Sequence, residues 1–411
     1  MTGNSDKLFE QQIHDAFESL RAALVDLFAS VHVDKLKPYP LARLLDINKN
    51  LTWKVSKIIR AERPSEALRH IPGPGGIKLL LDAFASHGAA AETVERARSA
   101  FDALDKLIEH HTGDRETLEV MLDGLAARES DGASLVATRK LAFRGNSGIW
   151  GMQTRARMTT FVMAPSKDKD PDSAIFDSML ITGLVGLQRL RPETPWTLLS
   201  LASYSDDGTL REPLGNPGPL NPSAFAELGI PLLHKFCTGG TQEDLAIHTE
   251  GGETVVELPV GPVGKRGKRD IFFGRIDREF ASLHSSPADQ TGEFLTDFML
   301  PIEHCQFDVL VHKDLEGVDD CTFKLFGRLY GRIAAPNDRR DDSALPIPIE
   351  VRDLGLGLDA MATDIYPRYC ELIQDTFLGV GFDPAEFRTL RVTLEYPPMG
   401  TTGVFSFPLR K

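Results

Sequence analysis

The sequence predicts an α+β fold, with an all-helical N-terminal domain over residues 1–130 and a β-rich mixed domain over residues 131–411. Up to about residue 128, apolar residues recur at spacings of three and four, which is the period of an amphipathic helix. Beyond Gly132, apolar and polar residues alternate, and Gly, Pro, Asn and Asp cluster between the alternating segments. A chain of 411 residues with 42% apolar content is long enough for two or three domains with separate cores.

The first element is a long helix from Leu8 to Val31. One continuous apolar stripe runs along it, made of Phe9, Ile13, Phe17, Leu20, Leu24, Leu27 and Val31. This long helix is also a candidate dimer element.

A break at Pro38 and Pro40 separates this helix from a pair of short helices, of which the first begins within Leu41 to Leu45. The stretch from His70 to Gly76 is too rich in Pro and Gly for a helix and is expected to be a loop. Three further helices are expected at Ile77 to Ser86, Glu92 to His110 and Arg115 to Ala127.

Strands dominate the distal part. The candidates are Leu135 to Phe143, Ile149 to Met163, Thr197 to Tyr204, Thr254 to Val260, Ile271 to Ile276, Phe307 to His312, Phe323 to Ile333, Thr389 to Tyr396 and Gly403 to Leu409. Two helical segments interrupt them, at Ala174 to Leu184 and Ala360 to Leu378. Mixed elements of this kind fit an α+β domain.

The chain is expected to be cytoplasmic and to have no membrane partner. Its start lacks the basic-then-apolar profile of a secretory signal, and no run approaches the length needed to cross a bilayer. The four cysteines are widely spaced, so reduced and mostly buried thiols are expected.

Charge is unevenly distributed along the chain. The net charge of −13 argues against a nucleic-acid partner, because phosphate binding requires a positive surface. Between Lys35 and Arg60, however, seven cations face only the carboxylate of Asp46, which leaves +6 there and −19 elsewhere. This asymmetry favours a local anion-binding site, although a solvated helix face would carry the same charges.

Residues 38–60 have the outline of two short helices joined by a tight turn. In a DNA-reading helix-turn-helix the second helix enters the major groove, so it needs apolar residues inward and polar residues outward. The inward stripe would be Leu51, Val55, Ile58 and Ile59, packed on Ala42, Leu44, Leu45 and Ile47. The residues directed to DNA would be Lys49, Asn50, Thr52, Trp53, Lys54, Ser56, Lys57 and Arg60.

The run Leu41-Ala42-Arg43-Leu44-Leu45-Asp46-Ile47, followed by Val55-Ser56-Lys57-Ile58, resembles the helix-turn-helix of bacterial transcriptional regulators. Asp46 departs from that motif, which commonly has glycine in the turn. The resemblance covers this segment alone and implies double-stranded DNA as the partner.

The sequence therefore favours a DNA-binding transcriptional regulator whose second domain serves oligomerisation, sensing or partner contact. A homodimer is expected, because two short recognition helices on symmetric half-sites make more contacts than one. The alternative is a structural or self-assembling protein whose β-rich domain is the working part and whose helices form a protein-protein adaptor. In that case the lysines would lie on the solvated side of a helical bundle.

An enzyme is the weakest alternative, and no catalytic, cofactor-binding or metal residue is assigned. The densest set of potential ligands is Glu303, His304, Cys305, Asp308, His312, Asp314 and Cys321. Asp308 and His312 share one face of a predicted strand and could approach a common ion, but the spacing matches no zinc or iron pattern.

Two glycine-rich segments also fall short of known motifs. The run from Gly261 to Arg269 lacks the spacing of a phosphate loop and is expected to be a charged hairpin tip, with a second phosphate contact as the alternative. Gly145, Gly148 and Gly151 are expected in a turn or bulge between strands, and Ser147 among them lacks the context of a hydrolase nucleophile.

Overall fold

A computed structural model of the chain describes residues 3–31, 38–129, 133–167, 174–193, 195–201, 203–204, 210–211, 218–241, 243–250, 253–285, 290–327 and 344–411. The chain forms two compact units, residues 1–134 and 135–411. The first is helical and the second is rich in strands, which confirms the α+β class.

The described residues of the first unit form helices α1 (Gly3–Ala29), α2 (Pro38–Leu44), α3 (Lys49–Arg60), α4 (Pro64–Leu68), α5 (Pro74–Ser86), α6 (Ala91–His111) and α7 (Arg115–Glu129). Pro38 and Pro40 lie inside the first turn of α2 rather than before it. Proline is tolerated there, because the first N–H groups of a helix have no acceptor within the helix.

The apolar stripe of α1 lies in the core of its own unit. Ile13, Phe17, Leu20 and Leu24 are at most 3% exposed, and α1 packs along α6. The stripe is therefore covered within its own unit, and the role of α1 as a dimer element stays a prediction.

Helix α8 (Ala133–Trp150) crosses the boundary and lies almost entirely in the second unit, whose other described α-helices are α9 (Pro222–Leu228) and α10 (Tyr369–Val380). Its described strands are β1 (Met152–Pro165), β2 (Ile175–Arg189), β3 (Trp196–Leu201), β4 (Ser203–Tyr204), β5 (Leu210–Arg211), β6 (Gly218–Pro219), β7 (Ala246–Glu250), β8 (Glu253–Leu258), β9 (Arg269–Ser282), β10 (Thr291–Phe298), β11 (Ile302–His312), β12 (Thr322–Gly327), β13 (Arg352–Leu356), β14 (Phe387–Glu395) and β15 (Thr401–Pro408). Residues 328–333 of the predicted strand from Phe323 to Ile333 lie outside the described residues.

A central sheet in the order β13-β14-β11-β1-β2-β9-β6 organises the described residues of this unit, and β1 and β11 are its parallel pair. One face packs on α10, through side chains such as Tyr369 and Phe377. The other face packs on a second sheet, β10-β15-β12, where the rings of Phe161 and Phe294 stack with centroids 4.3 Å apart. A third small sheet has the order β3-β8-β7.

Two predicted elements of this unit have the opposite structure. Leu135 to Phe143 is part of α8, not a strand. Good helix formers such as Ala, Leu, Arg and Lys fill it, while only Arg139 and Ser147 are buried among its described side chains, so no apolar stripe marks the helical period. Residues 175–184 of the predicted helix Ala174 to Leu184 belong to β2, a central strand buried on both faces that shows no alternation.

The connection from Gly261 to Arg269 is not a hairpin tip, because β8 pairs with β3 and β7 whereas β9 pairs with β2 and β6. It joins two different sheets. Gly145 and Gly148 lie within α8, and Gly151 (φ +67°) connects that helix to β1, so the expected turn between strands is also wrong.

All four cysteines are free thiols, as expected, but only Cys305 is buried, whereas Cys237, Cys321 and Cys370 are partly exposed. Burial raises the pKa of Cys305 to about 12 and the pKa values of Cys237 and Cys321 to about 11. Among the helices of the described residues, none combines the length and the apolar content needed to span a membrane.

Candidate nucleic-acid interface

The turn between α2 and α3 is held by two polar residues. Asp46 adopts a left-handed backbone conformation (φ +49°), which Asp and Asn tolerate better than most residues with a side chain. Asp46 can therefore replace the glycine that is common in such turns. Asn48 caps α3, because its side-chain oxygen accepts a hydrogen bond from the backbone N–H of Asn50 at 2.8 Å.

One face of α3 is buried in the first unit. Val55 and Ile58 are fully buried and Ile59 is 8% exposed, as expected for the inward stripe, while Leu51 is half-buried. From α2, Leu41 and the predicted Ala42 are buried, and so is Leu45 just beyond its end. Leu44 is 45% exposed, so the expectation that it lies beneath α3 is wrong. The face is fixed by α1, α2 and α4, all of which contact α3.

Thr52 and Ser56 belong to this buried face. The Thr52 hydroxyl donates to the carbonyl oxygens of Pro38 at 2.9 Å and Lys49 at 3.0 Å, and the Ser56 hydroxyl donates to the carbonyl oxygen of Thr52 at 2.8 Å. Both residues are at most 3% exposed. The expectation that they face DNA is therefore wrong, because their hydroxyls serve contacts within the helix pair.

The other six predicted residues lie on the opposite side of α3. Lys49, Asn50, Trp53, Lys57 and Arg60 are exposed, and Lys54 is half-buried. Within the part of the chain that the structure describes, no carboxylate forms an ion pair with any of the three lysines. This side of α3, made of these six residues, is called the cationic face below.

Aromatic rings lie beside two of the lysines. The Nζ atom of Lys57 lies 5.7 Å from the centroid of the Trp53 ring, and that of Lys49 lies 5.8 Å from the Tyr39 ring. The two rings are 45% and 63% exposed, respectively. The cationic face therefore combines ammonium groups with accessible aromatic surface.

A shallow cleft of about 290 Å³ opens at the end of α3, lined by Lys57, Arg60, Ala61, Glu66 and His70. The imidazole of His70 stands edge-on to Trp53, with ring centroids 5.1 Å apart. Burial lowers the pKa of His70, and the positive charges of Lys57, Lys54 and Arg69 lower it further. The contributions of the three cations come from positive charge along this side of the unit, which would also attract an anionic ligand.

The potential ligand set around Asp308 has a different character. The Asp308 carboxylate accepts two hydrogen bonds from Arg391, at 2.9 and 2.8 Å, one from Tyr369 at 2.7 Å and one from Gln306 at 2.9 Å. Burial, and then the charge of Asp308, raises the pKa of Tyr369 well above its usual range, so its hydroxyl stays protonated and donates. Four donors saturate this fully buried carboxylate.

His312 shares a face of β11 with Asp308, as predicted, and its Nε2 lies 3.3 Å from the carboxylate of Glu386. No group of three or more His, Cys, Asp or Glu side chains in the described residues is arranged to hold a metal. Arg391 also donates to the carbonyl oxygens of Met361 and Ala362, which ties the segment before α10 to the sheet. The network therefore stabilises the fold of the β-rich unit.

No protein-family model matches the chain, and no curated protein is significantly similar to it. The functional inference consequently depends on the geometry and charge of the described residues.

Proposed function

We propose that the first unit binds double-stranded DNA through α3 and that the protein is a helix-turn-helix transcriptional regulator. The observation that carries this proposal is the division of α3 into a buried face and the cationic face, whose lysines have no ion-pair partner among the described residues. Lysines without ion pairs on the exposed side of a short, firmly packed helix suit binding to a phosphate-lined groove.

In a helix-turn-helix the N-terminal part of the second helix contacts base edges. Lys49, Asn50 and Trp53 occupy this part of α3. Lys suits guanine acceptors, Asn suits adenine, and an exposed ring suits the thymine methyl group. Lys54, Lys57 and Arg60 lie further along the helix, where phosphate contacts would set its position without reading sequence.

We infer that DNA binding requires two copies. The 12 residues of α3 offer few contacts, and two copies would place their recognition helices about one DNA turn, roughly 34 Å, apart on symmetric half-sites. Such a regulator acts in the compartment that holds the chromosome, which in a bacterium is the cytoplasm.

The decisive experiment measures the binding of the whole chain to duplex DNA as a function of salt concentration. The variant combining Lys54→Ala and Lys57→Ala should bind more weakly at low salt. The slope of log affinity against log salt should fall by about 2, because each phosphate neutralised by a lysine accounts for about 1. Because these side chains are at least partly in solvent, stability should change little.

The matched control combines Lys78→Ala and Lys106→Ala, which remove two exposed lysines from α5 and α6 of the same unit. The control should retain the wild-type slope. If wild-type protein shows no DNA affinity at low salt, or if both double variants reduce the slope equally, α3 is not the DNA-binding element.

A second candidate is the self-assembling or adaptor protein. It is favoured by α8, on which Leu141 is 68%, Ile149 70% and Trp150 47% exposed, an unusual amount of apolar surface for one helix. Light scattering without DNA would test it. Loss of assembly in Leu141→Glu combined with Ile149→Glu, together with no DNA affinity in wild type, would favour this candidate over the regulator.

A further inference from the structure

A second cleft, of about 250 Å³, lies in the β-rich unit beside the ends of β2 and β9. Its charged lining consists of Arg189, Arg269, Glu243 and Asp244, and residues 258–262 complete its wall. The cleft involves none of the residues of α3. Its distinguishing feature is a pair of largely buried guanidinium groups.

The position of Arg189 is fixed by backbone carbonyl groups. The residue is only 2% exposed, and its Nη2 donates to the carbonyl oxygens of Leu258, at 2.7 Å, and Pro259. A Cβ atom at Gly261 would lie 3.3 Å from Nη1 of Arg189, so the absence of a side chain there keeps this edge of the guanidinium uncrowded.

Arg269 has a donor without an acceptor. Its Nη2 donates to Oδ2 of Asp244, but its Nε is buried and has no hydrogen-bond partner in the part of the chain described. A buried N–H without a partner is costly, more so on a charged group.

The electrostatic surroundings favour an anion. Burial, and then the charge of Arg269, lowers the pKa of Arg189, while the charge of Asp244 opposes this. On the connection leading into β9, Lys265, Arg266 and Lys268 are exposed and form no ion pair with a described carboxylate. Glu243 and Asp244 are the opposing charges in the lining, and Asp244 is already bound to Arg269.

We propose that this cleft binds a phosphate group, held by Arg189 and Arg269, and that the phosphate displaces the carboxylate of Asp244 from Arg269. The planar fork of a guanidinium presents two parallel N–H donors that match two oxygens of a phosphate. The site uses side-chain donors and needs no glycine-rich phosphate loop, which explains why the nearby glycines fit no such motif.

Isothermal titration of the whole chain with inorganic phosphate at constant ionic strength tests the proposal. Arg269→Gln should weaken binding about tenfold or more, because it removes a charged hydrogen-bond donor from the site. Asp244→Asn should tighten binding, because it removes the competing carboxylate from a half-exposed position where folding is little affected. Gly261→Ala should weaken binding by crowding Arg189, and Arg144→Gln, an exposed cation of α8, should leave it unchanged.

The absence of saturable phosphate binding would overturn the proposal, and so would equal affinities of wild type and Asp244→Asn. Duplex DNA titrated into the same variants distinguishes the source of the phosphate group. If Arg269→Gln loses inorganic phosphate but keeps full DNA affinity, the site serves a free phosphorylated molecule. If phosphate competes with DNA and Arg269→Gln weakens both, the group belongs to the nucleic-acid backbone. The cleft can bind phosphate even if α3 binds no DNA, so the two proposals fail separately.

Discussion

On α3, the ammonium groups of Lys49 and Lys57 lie in solvent beside exposed aromatic rings, whereas in the β-rich unit the guanidinium of Arg391 is 5% exposed and bound to a carboxylate. The Arg391 guanidinium and the Asp308 carboxylate find their hydrogen-bond partners within the protein. The exposed lysines form no ion pair with the described residues. Residue type alone cannot tell a binding cation from a structural one, but burial and partners can.

The difference has an energetic basis. Two charges removed from water are tolerated only when they face each other with good geometry and further hydrogen bonds, and removal of one partner then leaves an uncompensated charge. An exposed ammonium group is already solvated, so its removal costs the fold little and affects mainly a partner that carries opposite charge. Opposite responses to mutation are therefore expected in the two regions.

The largest effect is expected at the buried pair. Asp308→Ala leaves the Arg391 guanidinium buried without its carboxylate and should lower the free energy of unfolding of the β-rich unit by about 3–5 kcal/mol. Urea unfolding, followed by the β-sheet signal in circular dichroism, measures it. DNA affinity per folded molecule should not change, because Asp308 belongs to the β-rich unit and is not part of the cationic face.

A paired variant separates the charge effect from a simple decrease in volume. Asp308→Leu with Arg391→Met removes both charges and should restore most of the stability, because no unpaired charge remains. If the double variant is as unstable as Asp308→Ala, packing around β11 and not the ion pair is what the mutation disturbs.

A smaller effect is expected from the two faces of α3. Thr52→Val removes a hydroxyl that donates to two carbonyl oxygens and should destabilise the first unit by about 1 kcal/mol, while leaving the salt slope of DNA binding unchanged. Lys57→Ala should leave the stability of the first unit nearly unchanged and lower the salt slope of DNA binding. A thermal melt and a salt titration of both variants give the four values needed, and a changed slope in Thr52→Val would place that residue on the DNA side.

The positions of the predicted residues in the structure show which features of this site can be predicted from the sequence. Helical period and charge located α3, its inward stripe and its cationic face, because both signals are local. They assigned Thr52 and Ser56 to the wrong face, since a hydroxyl satisfies its hydrogen bonds in solvent or against a carbonyl group equally well. Leu44 was misplaced because a one-residue rotation on a short helix separates buried from exposed.

Long-range pairing was less accessible. The sequence singles out Asp308 but does not pair it with Arg391 or Tyr369, because strand register and the packing of α10 decide which side chains meet. No local signal marks Arg391, because it alternates with Leu390 and Val392 and would be assigned to the polar face of β14. Likewise α8 and β2 were misassigned because an exposed helix and a strand buried on both faces each lack the period that identifies them.

The smallest expected effect concerns His70, which senses the charge of the cationic face. Burial, followed by Lys57, Lys54 and Arg69, lowers its pKa from the usual 6.5, so the folded chain favours the neutral ring and loses a little stability as the pH falls below that value. Phosphates placed against α3 would cancel part of the positive field and raise the pKa of His70. By linkage, DNA affinity should then rise as the pH falls through the interval between the free and DNA-bound pKa values.

Nuclear magnetic resonance titration of the imidazole, with and without duplex DNA, measures the pKa of His70 in the free and in the DNA-bound protein. Lys57→Ala should raise the pKa in the free protein and shrink the shift on DNA addition, whereas Lys78→Ala should change neither. If bound DNA does not change the pKa of His70, the phosphates do not lie against the cationic face.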